Sequence, residues 1–229
     1  MNRQDEIAAG LARVRERIDS ACAAVGRTDH VELVVVTKTF PASDVAILAD
    51  LGVRHVAENR DQEARAKREE LGEDGLVWHM IGQLQRNKAA SVARWADVVE
   101  SVDRPELVAA LSKAAAGREL RVLIQVDLDP DPRPDRGGAA PDEVLDLAGL
   151  IDADPSLSLA GLMAVAPHPG DPDEAFARLA VVSSRLRSRF PQATVLSAGM
   201  SDDLEQAIAH GATQVRVGGA VLGHRAYVQ

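Results

Sequence analysis

Cysteine is almost missing from this 229-residue chain, Cys22 being the only one. A lone thiol excludes an internal disulfide framework and a Cys-rich zinc site, and it fits a reducing compartment. Aromatic residues are scarce at 3%, and positive charge is outweighed: 26 Lys+Arg stand against 35 Asp+Glu, a net charge of -9. With few stacking platforms and a surface that repels phosphate backbones, nucleic-acid binding is not expected. No apolar run approaches the roughly 20 residues that span a bilayer, so no membrane association is expected either. The opening MNRQDEIAAGLARVRERID is charged throughout and has no apolar core of a signal peptide. The six histidines show no metal-ligand spacing, so no metal is assigned. Neither Gly-x-Gly-x-x-Gly after the first strand nor a Walker A motif occurs, which removes the common nucleotide folds. The expectation is a soluble cytoplasmic protein whose residues 1–229 form a single domain.

What the chain does have is a beat. After a helical pattern over Gln4–Val25 comes Glu32-Leu-Val-Val-Val-Thr-Lys38, whose β-branched run suits a strand buried on both faces. Further strand patterns fall at Arg54–Ala57, Val77–Ile81, Asp97–Val102, Val122–Leu128, Leu157–Val165, Thr194–Leu196 and Gln214–Val217. Helical patterns separate them at Ala42–Leu51, Asp61–Leu71, Arg86–Val92, Pro105–Ala116, Asp142–Ile151, Glu174–Arg189 and Asp202–His210. Strict alternation implies parallel strands with crossover helices, and eight units imply a closed (β/α)8 TIM barrel carrying an extra N-terminal helix. The Pro-, Gly- and Asp-rich stretch Asp127–Pro141 breaks the beat, either as a plain exposed loop or as a lid over the barrel mouth.

Several residues sit where chemistry gathers in such a barrel. Lys38 closes an apolar strand at the rim, where a partly desolvated amine can form a Schiff base with an aldehyde; a lysine snorkelling from a strand end is the plainer reading. Ser197-Ala-Gly-Met-Ser201 and Val215-Arg-Val-Gly-Gly219 are strand exits with free backbone N–H groups, suited to a phosphate dianion in the loops after the seventh and eighth strands. Ser201 is equally an N-cap. Arg216 lies between two valines, so it is either a structural ion pair or a ligand contact near the barrel axis. Asn59 offers a donor and an acceptor to a ring substituent, and His79 is either inward-facing at the site or a core histidine.

The ordered stretches Val35-Val-Thr-Lys-Thr39, Glu58-Asn59, Trp78-His-Met-Ile-Gly-Gln-Leu-Gln-Arg-Asn-Lys88, Ser101-Val-Asp-Arg104, Gly161-Leu-Met163, Leu196–Asp203, Val215-Arg-Val-Gly218 and Leu222-Gly223 make the chain resemble the pyridoxal-phosphate homeostasis proteins. These are single-domain barrels similar to the N-terminal domain of alanine racemase. The resemblance implies pyridoxal 5'-phosphate (PLP) as cofactor, held as a Schiff base on Lys38. Ser201, Gly218 and Gly219 would cradle the phosphate with Ser197, Arg216 would approach the pyridine nitrogen, and Asn59 would lie beside the ring. Met163 and His79 would be secondary contacts. Ala57, Gly219 and Phe40 depart from the family pattern; Gly219 replaces a frequent threonine, removing a hydroxyl while leaving the amide. The resemblance implies a monomeric carrier in PLP homeostasis that makes transient contact with apo PLP enzymes, rather than a robust catalyst. A weak amino-acid racemase is the alternative, and what counts against it is that the racemase's second base is a tyrosine from a domain this length is not expected to hold, Tyr227 being the only tyrosine. A cofactor-free Schiff-base aldolase is a third reading.

Overall fold

The computed structural model describes residues 2–72, 75–115, 117–131 and 137–223. Its first element, α1 (Arg3–Ala24), starts at a capping box in which the Asn2 side chain accepts the Asp5 amide while the Asp5 carboxylate accepts the Asn2 amide. Such a cap contributes about 1 kcal/mol. Ile7, Leu11, Val14, Ile18 and Cys22 recur at helical spacing and form its buried stripe.

The β/α beat follows as read. In order come β1 (Glu32–Val36), α2 (Ala42–Asp50), β2 (His55–Glu58), α3 (Asp61–Leu71) and β3 (Val77–Met80). A 3-10 turn, Arg86–Lys88, runs into α4 (Ala89–Val92), followed by β4 (Val98–Val102), α5 (Pro105–Ala114), β5 (Leu120–Gln125) and α6 (Val144–Asp152). The chain continues through β6 (Leu157–Met163), α7 (Pro172–Arg189), β7 (Val195–Ser197), α8 (Leu204–Ala209), β8 (Gln214–Val217) and α9 (Gly219–Leu222). Every neighbouring pair is parallel, and β8 closes on β1 with Val34 opposite Arg216 and Val35 opposite Val217. The sheet is therefore a (β/α)8 barrel, and every strand exits at the same end.

Alternation divides the strand residues between two layers. Leu33, Val35, Val56, Trp78, Val99, Val122, Leu162, Val215 and Val217 pack outward into the main core with the helices. Val34, Val36 and Ala57 form one inner cluster, and Val98, Leu123, Ala160 and Met163 another. A bulge between Val99 and Val102 carries Val102 to the outer layer, away from the parity of Val98 and Glu100.

Three local expectations need correction. β1 ends at Val36 rather than Lys38: Thr37 still donates its amide to the Ala57 carbonyl, but Thr39 has φ 69° and turns the chain away. β5 lies earlier than Val122–Leu128, because past Gln125 the chain pairs only at Val126, which bridges to Ala139. Ser201 is not the cap of α8; Asp203 holds that position, its carboxylate accepting the Met200 amide. The glycine pair after β8 leads straight into the short α9, with Gly218 at its N-cap. Of the Asp127–Pro141 stretch, residues 132–136 lie outside the described residues, as does Tyr227; beyond them Ala139 lies parallel to the end of β5, donating to the Gln125 carbonyl and accepting from the Asp127 amide. Among the described residues, no helix is long and apolar enough to cross a membrane and no acidic, histidine or cysteine cluster could hold a metal.

Candidate functional site

Register gathers three of the predicted residues at the C-terminal end of the barrel. Val36 pairs with Ala57, and Val35 with Val217. Lys38 and Asn59 each stand two residues past a paired position, and Gly218 stands one past Val217. Gly218 is pressed against β1, since a Cβ there would lie 3.0 Å from the Val36 carbonyl oxygen. Asn59 is flanked by Gly82, whose absent Cβ would lie 2.1 Å from the Asn59 carbonyl oxygen. Lys38, Asn59 and Gly218 thus occupy adjoining strand exits at one rim. This is the end where (β/α)8 barrels carry their sites.

The local environments differ. Lys38 is exposed, so the partial desolvation expected of its amine is absent. The Asn59 side-chain oxygen is buried without a hydrogen-bond partner, an orphan that a bound group would satisfy. Around Gly219 there is open space within 4 Å of where a Cβ would sit. As first-turn residues of α9, Gly219 and Ala220 have no intrahelical acceptor for their amides. Ser201 is half-buried in the turn after β7, and its carbonyl accepts from Arg17.

Arg216 and Ser197 lie deeper, inside the barrel. Arg216 points inward, 3% exposed, donating to the Ser197 hydroxyl at 2.6 Å and to the Ala164 carbonyl at 2.8 Å. Ser197 in turn donates to Glu100 at 2.7 Å, and Gln214 donates to both. Glu100 is the hub. It is fully buried, and on its other side it meets the His79 Nδ1 at 2.6 Å, with Arg216 Nη1 at 3.8 Å from its second oxygen. An ionised carboxylate only accepts, so His79 donates from Nδ1; a neutral His79 then accepts at Nε2 from His55 Nδ1, 3.0 Å away. Burial pushes the Glu100 carboxyl up, but the His79 hydrogen bond, the Arg216 charge and the Ser197 hydroxyl outweigh it and hold it below the usual range. Burial lowers Arg216 against the pull of Glu100 and Asp203. The open choice for Arg216 resolves in part: it is ion-paired, and its remaining donors sit on the inner face of β8. His79 is a hydrogen-bonded core histidine, with both ring nitrogens engaged.

Sequence reasoning passed over Glu100, Gln214, His55 and Lys67. Glu100 carried a visible signal: a carboxylate in the run Val98-Val-Glu-Ser-Val102, in phase with inward Val98. Lys67 had none, being one of many charges on α3, yet its side chain is only 7% exposed and pairs with fully buried Glu58 at 2.6 Å. A separate cavity of about 490 Å³ at the opposite end of the barrel, lined by Arg15, Cys22, His30, Glu32 and Arg54 among others, contains none of the predicted site residues.

Residues 10–226 match the family model of the alanine racemase N-terminal domain. The pyridoxal phosphate homeostasis protein of Mycobacterium bovis is 46% identical over 246 residues, covering 98% of this chain and 95% of its own length. Its namesake in Escherichia coli K12 is 39% identical over 233 residues, covering 97% and 98% respectively. Among solved structures, PipY of Synechococcus elongatus PCC7942, solved with PLP bound, superposes with a TM-score of 0.82 at 33% identity, over 95% of this chain and all of that one. Through these matches along nearly its whole length, this chain belongs to the pyridoxal phosphate homeostasis protein family, on the fold of the alanine racemase N-terminal domain.

Proposed function

We propose that this chain binds pyridoxal 5'-phosphate at the C-terminal end of its barrel, as a carrier acting in PLP homeostasis rather than as a robust catalyst. The observation that carries the reading is the convergence of an exposed primary amine, Lys38, with an unpartnered buried oxygen on Asn59 and the tight Gly218 exit, all on adjoining strand ends. The donor set fits the group. Lys38 would hold the aldehyde carbon as a Schiff base, with loss of one water. Gly218 and Gly219, with Ser201, would receive the phosphate, and Asn59 a ring substituent. Ser197 fits less well as a phosphate contact, because its hydroxyl is already shared among Glu100, Arg216 and Gln214; it would act by holding Arg216.

Bound PLP supplies an electrophilic aldehyde and, when its ring nitrogen is protonated, an electron sink. Arg216 works against the second property. A guanidinium only donates, so facing the pyridine nitrogen it would leave that nitrogen an unprotonated acceptor. This favours holding over carbanion chemistry, in keeping with relatives named for homeostasis. A single-domain monomer working in the cytoplasm, and handing its cofactor to apo PLP enzymes, completes the reading. The test is spectroscopic: adding PLP to the protein produces a visible absorption band, and borohydride fixes one PLP mass on the peptide holding Lys38. In Lys38→Ala both are lost; a band that persists in that variant overturns the assignment.

A further inference from the structure

We propose that Lys67, with Glu58 and Glu63, is a positioning clamp for Lys38, gripping the backbone on both sides of it and so fixing where its amine stands. The inference rests on Lys38 being the cofactor lysine. Lys67 projects from α3 toward the β1 exit and spends all three ammonium hydrogens there. It donates to the Thr37 carbonyl at 2.8 Å, to Glu58 Oε1 at 2.6 Å and to Glu63 Oε1 at 2.8 Å. The Thr37 hydroxyl adds a further bond to Glu58 Oε1 at 2.6 Å. Glu63 Oε1 also accepts the backbone amide of Thr39. The carbonyl just before Lys38 and the amide just after it are therefore bound to one ionic group.

The grip acts on the two central residues of a turn that the Phe40 amide closes by donating to the Thr37 carbonyl at 3.1 Å. Thr39 has φ 69°, a left-handed conformation that a β-branched residue adopts only against its own steric preference. The Lys38 and Thr39 side chains are exposed, so the grip on their backbone holds them where their own burial does not. A buried ionic group is also a poor way to gain stability, since apolar side chains of like volume commonly do as well. What such a group adds is direction, here toward two peptide atoms flanking one lysine.

Lys67→Met keeps the length of the side chain and removes its donors. Two readouts decide: hydrogen exchange of the Thr39 amide relative to Val35, and the PLP dissociation constant read from the visible band well below the melting temperature. The expected result is at least tenfold faster exchange at Thr39 with Val35 unchanged, and at least tenfold weaker PLP binding, with partial recovery in Lys67→Arg. A folded variant that melts earlier yet keeps both values overturns the clamp. Should Lys67→Met not fold, Glu63→Gln and Glu63→Ala replace it. Glutamine retains an acceptor for the Thr39 amide and stays close to the parent, while alanine speeds exchange at least tenfold; identical behaviour of the two overturns the proposal. Absence of a PLP band in the parent protein defeats the Lys38 assignment instead, and exchange at Thr39 still decides the clamp.

Discussion

Replacing Glu100 by glutamine isolates what the charge inside the barrel does. The substitution is nearly isosteric, so it opens no cavity, and the effect is electrostatic. Glu100 is 0% exposed and accepts from His79, Ser197 and Gln214 at 2.6, 2.7 and 2.7 Å, with the Arg216 guanidinium 3.8 Å from its second oxygen. Glutamine cancels the only carboxylate among these partners and turns one acceptor into an NH2 facing donors. Arg216, 3% exposed, keeps its charge, and stranding a buried charge costs about 3–5 kcal/mol. At about 2–4 °C per kcal/mol for a chain of this size, melting falls by roughly 6–20 °C. Urea unfolding at pH 7 measures it: the midpoint falls with the m-value unchanged. The folded carboxyl titrates below its ordinary 4.5, so its contribution is complete above that value and fades as pH falls through the folded pKa. The gap between parent and variant must therefore narrow in acid. A loss under about 1 kcal/mol at pH 7, or a gap that widens in acid, refutes the reasoning.

Two further expectations concern the same interior and the rim. Burial, and then the neighbouring His79, lower the pKa of His55 from 6.5; its contribution is full above 6.5 and is lost as pH falls through the folded value, so His55→Gln flattens the stability profile between pH 7 and 5, and an unchanged slope contradicts this. Gly82→Ala places a Cβ 2.1 Å from the Asn59 carbonyl, so denaturation should show a loss of about 1–3 kcal/mol together with weaker PLP binding. Gly219→Thr meets open space and changes stability by no more than about 0.5 kcal/mol; equal losses at both glycines refute this reading of the rim.

Much of the barrel is legible in the chain because each strand is a short β-branched run and each helix an amphipathic one, and these periods need no knowledge of the partner. Strand ends are less legible. Lys38 reads as a strand residue because Val-Val-Val-Thr continues smoothly into it, whereas the turn comes from the left-handed Thr39 and from Glu63, 24 residues away. Asn59, Arg216 and the glycine pair can be picked out as chemically apt at strand exits, but nothing local says that Ser201 yields the cap to Asp203. Nor does anything local say that Ser197 is committed to a buried network.

The sequence by itself determined the alternation, the number of strands and so the closed parallel barrel, since parallel strands linked by helices have one economical way to bury both faces. It also determined the family, through ordered motifs spread along the chain. Only the tertiary structure decided which polar residues face one another inside: Glu100 with His79 21 residues away and with Gln214 114 residues away, and Lys67 beneath the turn of Lys38. The reason is physical. Periodicity reports which face of an element is buried, whereas pairing inside a barrel depends on register and bulges that closure sets for all the strands together.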